Sequence, residues 1–165
     1  MLKSASDEAF GEALTPQFEV YAQQIFKNAK AMEQVFKDEG IRLLGGGTDN
    51  HLLLADVYGS LGITGADAER VLDEVGITLN KNMIADDTRT AMDPSSIRFG
   101  TPAMTTRGMK EAEATQLAEL MIATMRAKDD TAKKAELQKT VQELCERFPV
   151  PNPPCSYPLS VAMLI

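Results

Sequence analysis

Among the side chains here that could do chemistry, one stands out. It is an arginine set between two large apolar residues in Ser96-Ile97-Arg98-Phe99-Gly100. In a strand, successive side chains point to opposite faces. Ile97 and Phe99 then share a face turned to a core, while Ser96, Arg98 and Gly100 share the other. A guanidinium is planar, permanently charged, and donates in a fork that matches a carboxylate. With small residues beside it, Arg98 has room for a small carboxylate ligand. It would serve equally as the ion-pair partner of an Asp or Glu on a neighbouring element, and the local residues do not choose between the two.

The other candidates are weaker. His51 is the single histidine, at the start of an apolar run in Gly47-Thr48-Asp49-Asn50-His51. It could act as a base, but such a residue is more commonly structural, and Asp49 and Asn50 suit bonding within a turn. Gly45-Gly46-Gly47 lacks the lysine and following helix of a phosphate loop. No nucleophile elbow is present. Cys145 falls on the apolar face of a helical pattern and Cys155 in a proline-rich stretch. Their separation matches no metal-ligand spacing, so both are expected as free thiols in a reducing, cytoplasmic setting. The nine methionines recur at helical spacing and read as core. Lys133-Lys134, Glu111 and Glu113 read as solvated helix faces. Spacing alone therefore supplies no complete catalytic apparatus.

The elements that must position Arg98 follow from periodicity. Phe18, Tyr21, Ile25, Ala29, Met32 and Phe36 recur every three or four residues, which predicts a helix over 17–39. Thr15-Pro16 opens it and Gly40 stops it. A shorter helical pattern covers 2–14. Arg42 to Leu44 reads as a strand. His51 to Val57 reads as a second, buried on both faces because it is almost wholly apolar. Thr64-Gly65-Ala66-Asp67 opens a helix with threonine at the N-cap and an acid three residues on, and Gly76 closes it. Strands are expected at 77–81 and 96–99, and helices at 108–127 and 131–147. The polar connection 82–95, with Asp86, Asp87, Thr88, Arg89 and Asp93, is long enough to suggest function. After Phe148 prolines dominate, although Leu159 to Ile165 is apolar enough to dock. This order predicts an α+β fold: a small, mainly antiparallel sheet with helices packed on one face.

Length and charge bound the rest. The 165 residues make one domain, or one with an appendage, with 44% hydrophobic and 25% charged residues in ordinary globular proportion. A net charge of −7 argues against nucleic acid or an anionic membrane as partner. No apolar run approaches the roughly 20 residues of a membrane span, and the opening residues do not read as a secretory signal.

Four motifs, in order, carry a resemblance. GGTDNHLLLAD, GITLNKN, SSIRFGTPAMTTRG and LCERFPV together resemble the C-terminal region of serine hydroxymethyltransferases, from about Phe10 to Val150. The resemblance implies a C-terminal small domain of the kind found in fold-type I pyridoxal-phosphate enzymes. It spans 1–150, with 1–39 as connecting helices, 40–150 as the sandwich, and 151–165 as a tail beyond the usual end of the family. These enzymes interconvert serine and glycine and pass a one-carbon unit to tetrahydrofolate. The resemblance makes Arg98 the group that grips the substrate carboxylate, puts Asn82 beside the pterin of the folate, and gives Arg107 a structural role. It also implies that pyridoxal phosphate is held by an N-terminal domain, since nothing here matches the threonine-rich run ending in His-Lys that carries the cofactor lysine. That domain is then a partner, the complete enzyme is a homo-oligomer, and the isolated chain is inactive.

Two positions depart from the family pattern. Ser96 stands where a glycine is expected and would crowd or bond a ligand beside Arg98, and Ala85 stands where proline is common. A non-catalytic partner or regulatory module keeping the small-domain fold is the main alternative. The small domain of another fold-type I enzyme, such as an aminotransferase, is a second, disfavoured by GGTDNH and NKN.

Overall fold

Alternating side chains give a sheet two distinct faces, and stripes of period 3.6 give helices able to cover one of them. The computed structural model describes the backbone of residues 5–151 and of the pair 163–164, and the side chains of residues 9–151. The chain opens with helices α1 (Ala5–Ala13) and α2 (Pro16–Asp38), strand β1 (Arg42–Leu43) and a 3-10 turn (Leu44–Gly46). Strand β2 (Leu52–Asp56), helices α3 (Val57–Leu61) and α4 (Gly65–Glu74), and strands β3 (Ile77–Thr78), β4 (Asn80–Asn82) and β5 (Ser96–Gly100) follow. Helices α5 (Pro102–Thr106), α6 (Glu111–Arg126) and α7 (Thr131–Arg147), then strand β6 (Met163–Leu164), complete the order.

The main sheet has four strands in the order β1-β2-β5-β4, every neighbouring pair antiparallel. The core lies between this sheet and the helices. Leu53 and Ala55 of β2 and Ile97 and Phe99 of β5 point into it and are buried. They meet Ala29, Met32 and Phe36 of α2, and the Phe36 and Phe99 rings lie 5.0 Å apart. Helix α4 adds Ala68, Val71 and Leu72, α6 adds Leu117, Met121 and Met125, and α7 adds Leu137, Val141 and Leu144. The small antiparallel sheet with helices over one face is the expected α+β architecture.

The start signals act as their chemistry requires. The Thr15 hydroxyl accepts the Phe18 N–H at 3.3 Å, and Thr64 accepts the Asp67 N–H at 3.1 Å. Asp130 caps α7 by accepting the Lys133 N–H at 2.9 Å.

Several details differ from the sequence reading. The strand expected at 77–81 is two: β4 joins the main sheet, while β3 pairs in parallel with β6. The helix expected from 108 starts at Glu111, because Gly108 adopts φ +89° and separates it from α5, a single turn too short to show a period. Leu44 leaves the first strand for the 3-10 turn, and Val57 opens α3 rather than closing β2. Strand β2 is not buried on both faces: Leu52 is 40% exposed and Leu54 half-buried. Cys145 is a buried free thiol, while Cys155 and most of the proline-rich tail lie outside the described residues.

Candidate functional site

On β5 the alternation places Ile97 and Phe99 in the core and leaves Arg98 exposed on the opposite face. Register then decides its neighbours. Arg98 lies directly across from Leu54 on β2 and from Asn80 on β4. Directly opposed residues share a face, so the guanidinium stem and the Asn80 amide stand side by side. Among the described residues Arg98 forms no ion pair and no side-chain hydrogen bond, so the intramolecular pairing open to it in sequence is not used there.

An open cleft of about 430 Å³ borders this face, lined by Arg98, Asn80, His51, Leu52, Gly100, Pro102 and their neighbours. Its walls are fixed by close backbone approach. The Thr101 N–H donates to the His51 carbonyl at 3.1 Å, which holds the entrance to β2 against the exit from β5. A Cβ built on Gly100 would meet that carbonyl oxygen at 2.9 Å, so glycine permits the approach. Beyond it, α5 is tied to α2: the Thr101 hydroxyl donates to the Ile25 carbonyl at 2.8 Å, and the Tyr21 hydroxyl to the Pro102 carbonyl at 3.2 Å. Buried Asn28 donates to the Thr105 hydroxyl at 2.8 Å and to the Met109 carbonyl at 3.0 Å.

The glycine triplet serves a different purpose from phosphate binding. Gly45, Gly46 and Gly47 all have positive φ, and a Cβ on Gly47 would lie 2.4 Å from the Glu33 carboxylate. That buried carboxylate accepts the Thr48 N–H at 3.0 Å and pairs with Lys37 at 2.6 Å and Lys30 at 3.0 Å. Burial alone would raise its pKa, but these three donors outweigh it and hold the group at about 2. Asn50 bonds its own turn as expected, its Oδ1 accepting the Leu52 N–H at 2.7 Å. Asp49 is fully exposed, 4.0 Å from Lys30.

Asn82 lies elsewhere. It pairs with Ser96, one step further along the hairpin, and does not line the Arg98 cleft. Its Nδ2 donates to the Met83 carbonyl at 2.6 Å. Ser96, expected to crowd a ligand, is fully buried, and its hydroxyl donates to the Asn82 carbonyl at 2.6 Å. The connection after β4 is bonded through Asp87, whose carboxylate accepts the Ser95 hydroxyl at 2.7 Å and the N–H groups of Ser95 and Arg89, each at 3.0 Å. These bonds, the Ser95 hydroxyl foremost, hold Asp87 at about 2. Arg107 is structural: its guanidinium donates to the Phe148 and Cys145 carbonyls at 2.6 and 3.2 Å, satisfying the C-terminus of α7.

Sequence reasoning missed Asn80 as a cleft residue and Glu33 as an anchor. The first was findable, because Asn80 and Asn82 stand two apart in a strand and share a face. The second depended on a tertiary approach that no local pattern encodes.

The lining brings together one forked cation on a strand, a neutral amide beside it, an imidazole and apolar side chains. Among the described residues no cluster of three or more His, Cys, Asp or Glu side chains could hold a metal ion. No helix there is long and apolar enough to cross a membrane.

A profile of the family described as serine hydroxymethyltransferase matches residues 3–121. Two bacterial proteins named serine hydroxymethyltransferase are similar along most of the chain. The one from Koribacter versatilis (strain Ellin345) is 44% identical over 147 residues, covering 89% of this chain and 34% of its own. The one from Acidobacterium capsulatum is 44% identical over 149 residues, covering 90% of this chain and 35% of its own. The chain belongs to the serine hydroxymethyltransferase family, and it spans about a third of the length of these relatives.

Proposed function

We propose that this chain is the C-terminal small domain of a serine hydroxymethyltransferase and supplies the arginine that grips the α-carboxylate of serine or glycine. The observation that carries this is Arg98. It is exposed on the open face of β5, without an ionic partner among the described residues, and it borders a cleft sized for a small molecule. The strand fixes the direction of the fork, and the core residues Ile97 and Phe99 on either side fix the strand. Two parallel N–H donors on one carboxylate hold a small amino acid in a single orientation, which is worth several kcal/mol when the bond to be broken must stand in a set direction.

Pyridoxal phosphate supplies the electron sink for this chemistry when bound. Among the described residues the cleft lining contains no lysine, and Lys81 turns to Glu69 at 2.6 Å on the other side of β4. These residues do not fit the cofactor, and we assign it to the part of the enzyme outside this chain. Tetrahydrofolate is the acceptor of the one-carbon unit, and Asn82 stands on its side of the site. Full activity then requires the large domain.

Arg98→Lys tests the fork, because it keeps the charge and loses the paired geometry. In a complete subunit carrying this chain, it is expected to raise the serine KM at least about tenfold, about 1.4 kcal/mol. An unchanged serine KM would remove Arg98 from the carboxylate site.

A further inference from the structure

The connection between β4 and β5 is closed by one side chain that the proposed chemistry does not use. Asp87 reaches back to Ile84, with Oδ2 accepting its N–H at 3.4 Å, and forward to Ser95, accepting its N–H at 3.0 Å and its hydroxyl at 2.7 Å. The loop's two ends are thereby drawn together over a single carboxylate. One residue beyond Ser95, the buried Ser96 hydroxyl donates to the Asn82 carbonyl at 2.6 Å. Ser96 is held in turn by the start of α4: a Cβ on Gly65 would come within 2.4 Å of the Ser96 carbonyl oxygen. Asn82 is therefore gripped through its backbone from Ser96 and limited by the loop that Asp87 closes. One Nδ2 hydrogen is committed to the Met83 carbonyl, which leaves Oδ1 and the second hydrogen without a bond among the described residues.

We propose that Asp87 and Ser96 are positioning residues that fix the amide of Asn82 so that it can both donate to and accept from the pterin of the folate. This rests on the folate-side reading of Asn82 given above. Ser96 supplies a hydroxyl where the resemblance leads to an expected glycine, so the grip on Asn82 includes a bond that glycine cannot make.

Two measurements test it, and they fail separately. In the full 165-residue chain, the side-chain NH2 resonances of Asn82 are followed by NMR in Asp87→Asn and Ser96→Gly, with the amides of Leu53 and Ala55 as controls for the sheet. The expected result is a collapse of the two Asn82 protons toward free-amide shifts while the controls stay put. In the complete subunit, the same variants are expected to raise the tetrahydrofolate KM about tenfold and leave the serine KM within about twofold, because Arg98 lies two residues away on the same strand and would report any general distortion. Unmoved Asn82 resonances overturn the proposal, as does an equal rise in both KM values. Asn82→Ala is the reference. If it leaves the tetrahydrofolate KM unchanged, the folate reading falls, and the resonances alone decide whether Asp87 and Ser96 position the amide.

Discussion

At the scale of single residues, the charged groups of this chain divide by whether their partners lie within it. Glu33 is fully engaged, and its titration can be used to test that. Its folded pKa of about 2 lies below the ordinary 4.5. A lowered carboxylate pKa contributes stability that is complete above the unfolded value and is lost as pH falls through the folded one. Glu33→Gln should therefore cost about 1–3 kcal/mol at pH 7, where a charged acceptor is removed from three donors. The gap to wild type should shrink between pH 4.5 and 2, as read by denaturant unfolding at several pH values; a gap that stays constant would contradict the assignment. Arg107 makes the opposite contrast with Arg98. Arg107→Ala strips two hydrogen bonds from the end of α7 and should destabilise the chain by about 1–2 kcal/mol. Arg98, with no such bonds among the described residues, has little of that kind to lose.

At the scale of elements, the sites of close approach carry the specificity. A Cβ on Gly65 would meet the Ser96 and Pro94 carbonyl oxygens at 2.4 and 3.0 Å, and backbone cannot swing aside. Gly65→Ala should lower the melting temperature by an amount equivalent to about 1–3 kcal/mol. Gly11→Ala, in α1 with nothing within 4 Å, should leave it unchanged or raise it slightly. Equal shifts for the two would mean that α4 does not abut β5 as described. These same features mark where the sequence was legible. The 3.6 stripe of α2, the Thr64 cap and the Ile97–Phe99 alternation could all be read locally, and each fixed an element and a face. What escaped was set by distant partners: the split at Leu79, where the two halves of one expected strand pair with different strands, and the one-turn helix α5. The burial of Ser96 was hidden too, because alternation assigns a face but not what covers it. The outward face of Arg98 could be read from its neighbours, while setting Asn80 beside it took the register of β4 on β5.

At the scale of the molecule, apolar surface remains at the N-terminal end. Phe10 is 72% exposed, Leu14 88% and Val20 67%, in and between α1 and α2. Apolar side chains exposed to this degree form a surface that a monomer rarely leaves open. The isolated chain should therefore self-associate at high concentration, and Leu14→Glu should reduce that in sedimentation velocity; a strict monomer before any substitution would contradict it. Adding pyridoxal phosphate to the chain should give no stoichiometric adduct trapped by borohydride. The most direct test of the central claim measures one variant in two settings. Arg98→Ala is compared with the parent for unfolding free energy in the isolated chain and for serine-to-glycine turnover with tetrahydrofolate in the complete subunit. The expected result is a stability change below about 1 kcal/mol with turnover reduced by orders of magnitude. A domain that unfolds while turnover survives would make Arg98 a structural ion-pair partner and end its assignment to the carboxylate.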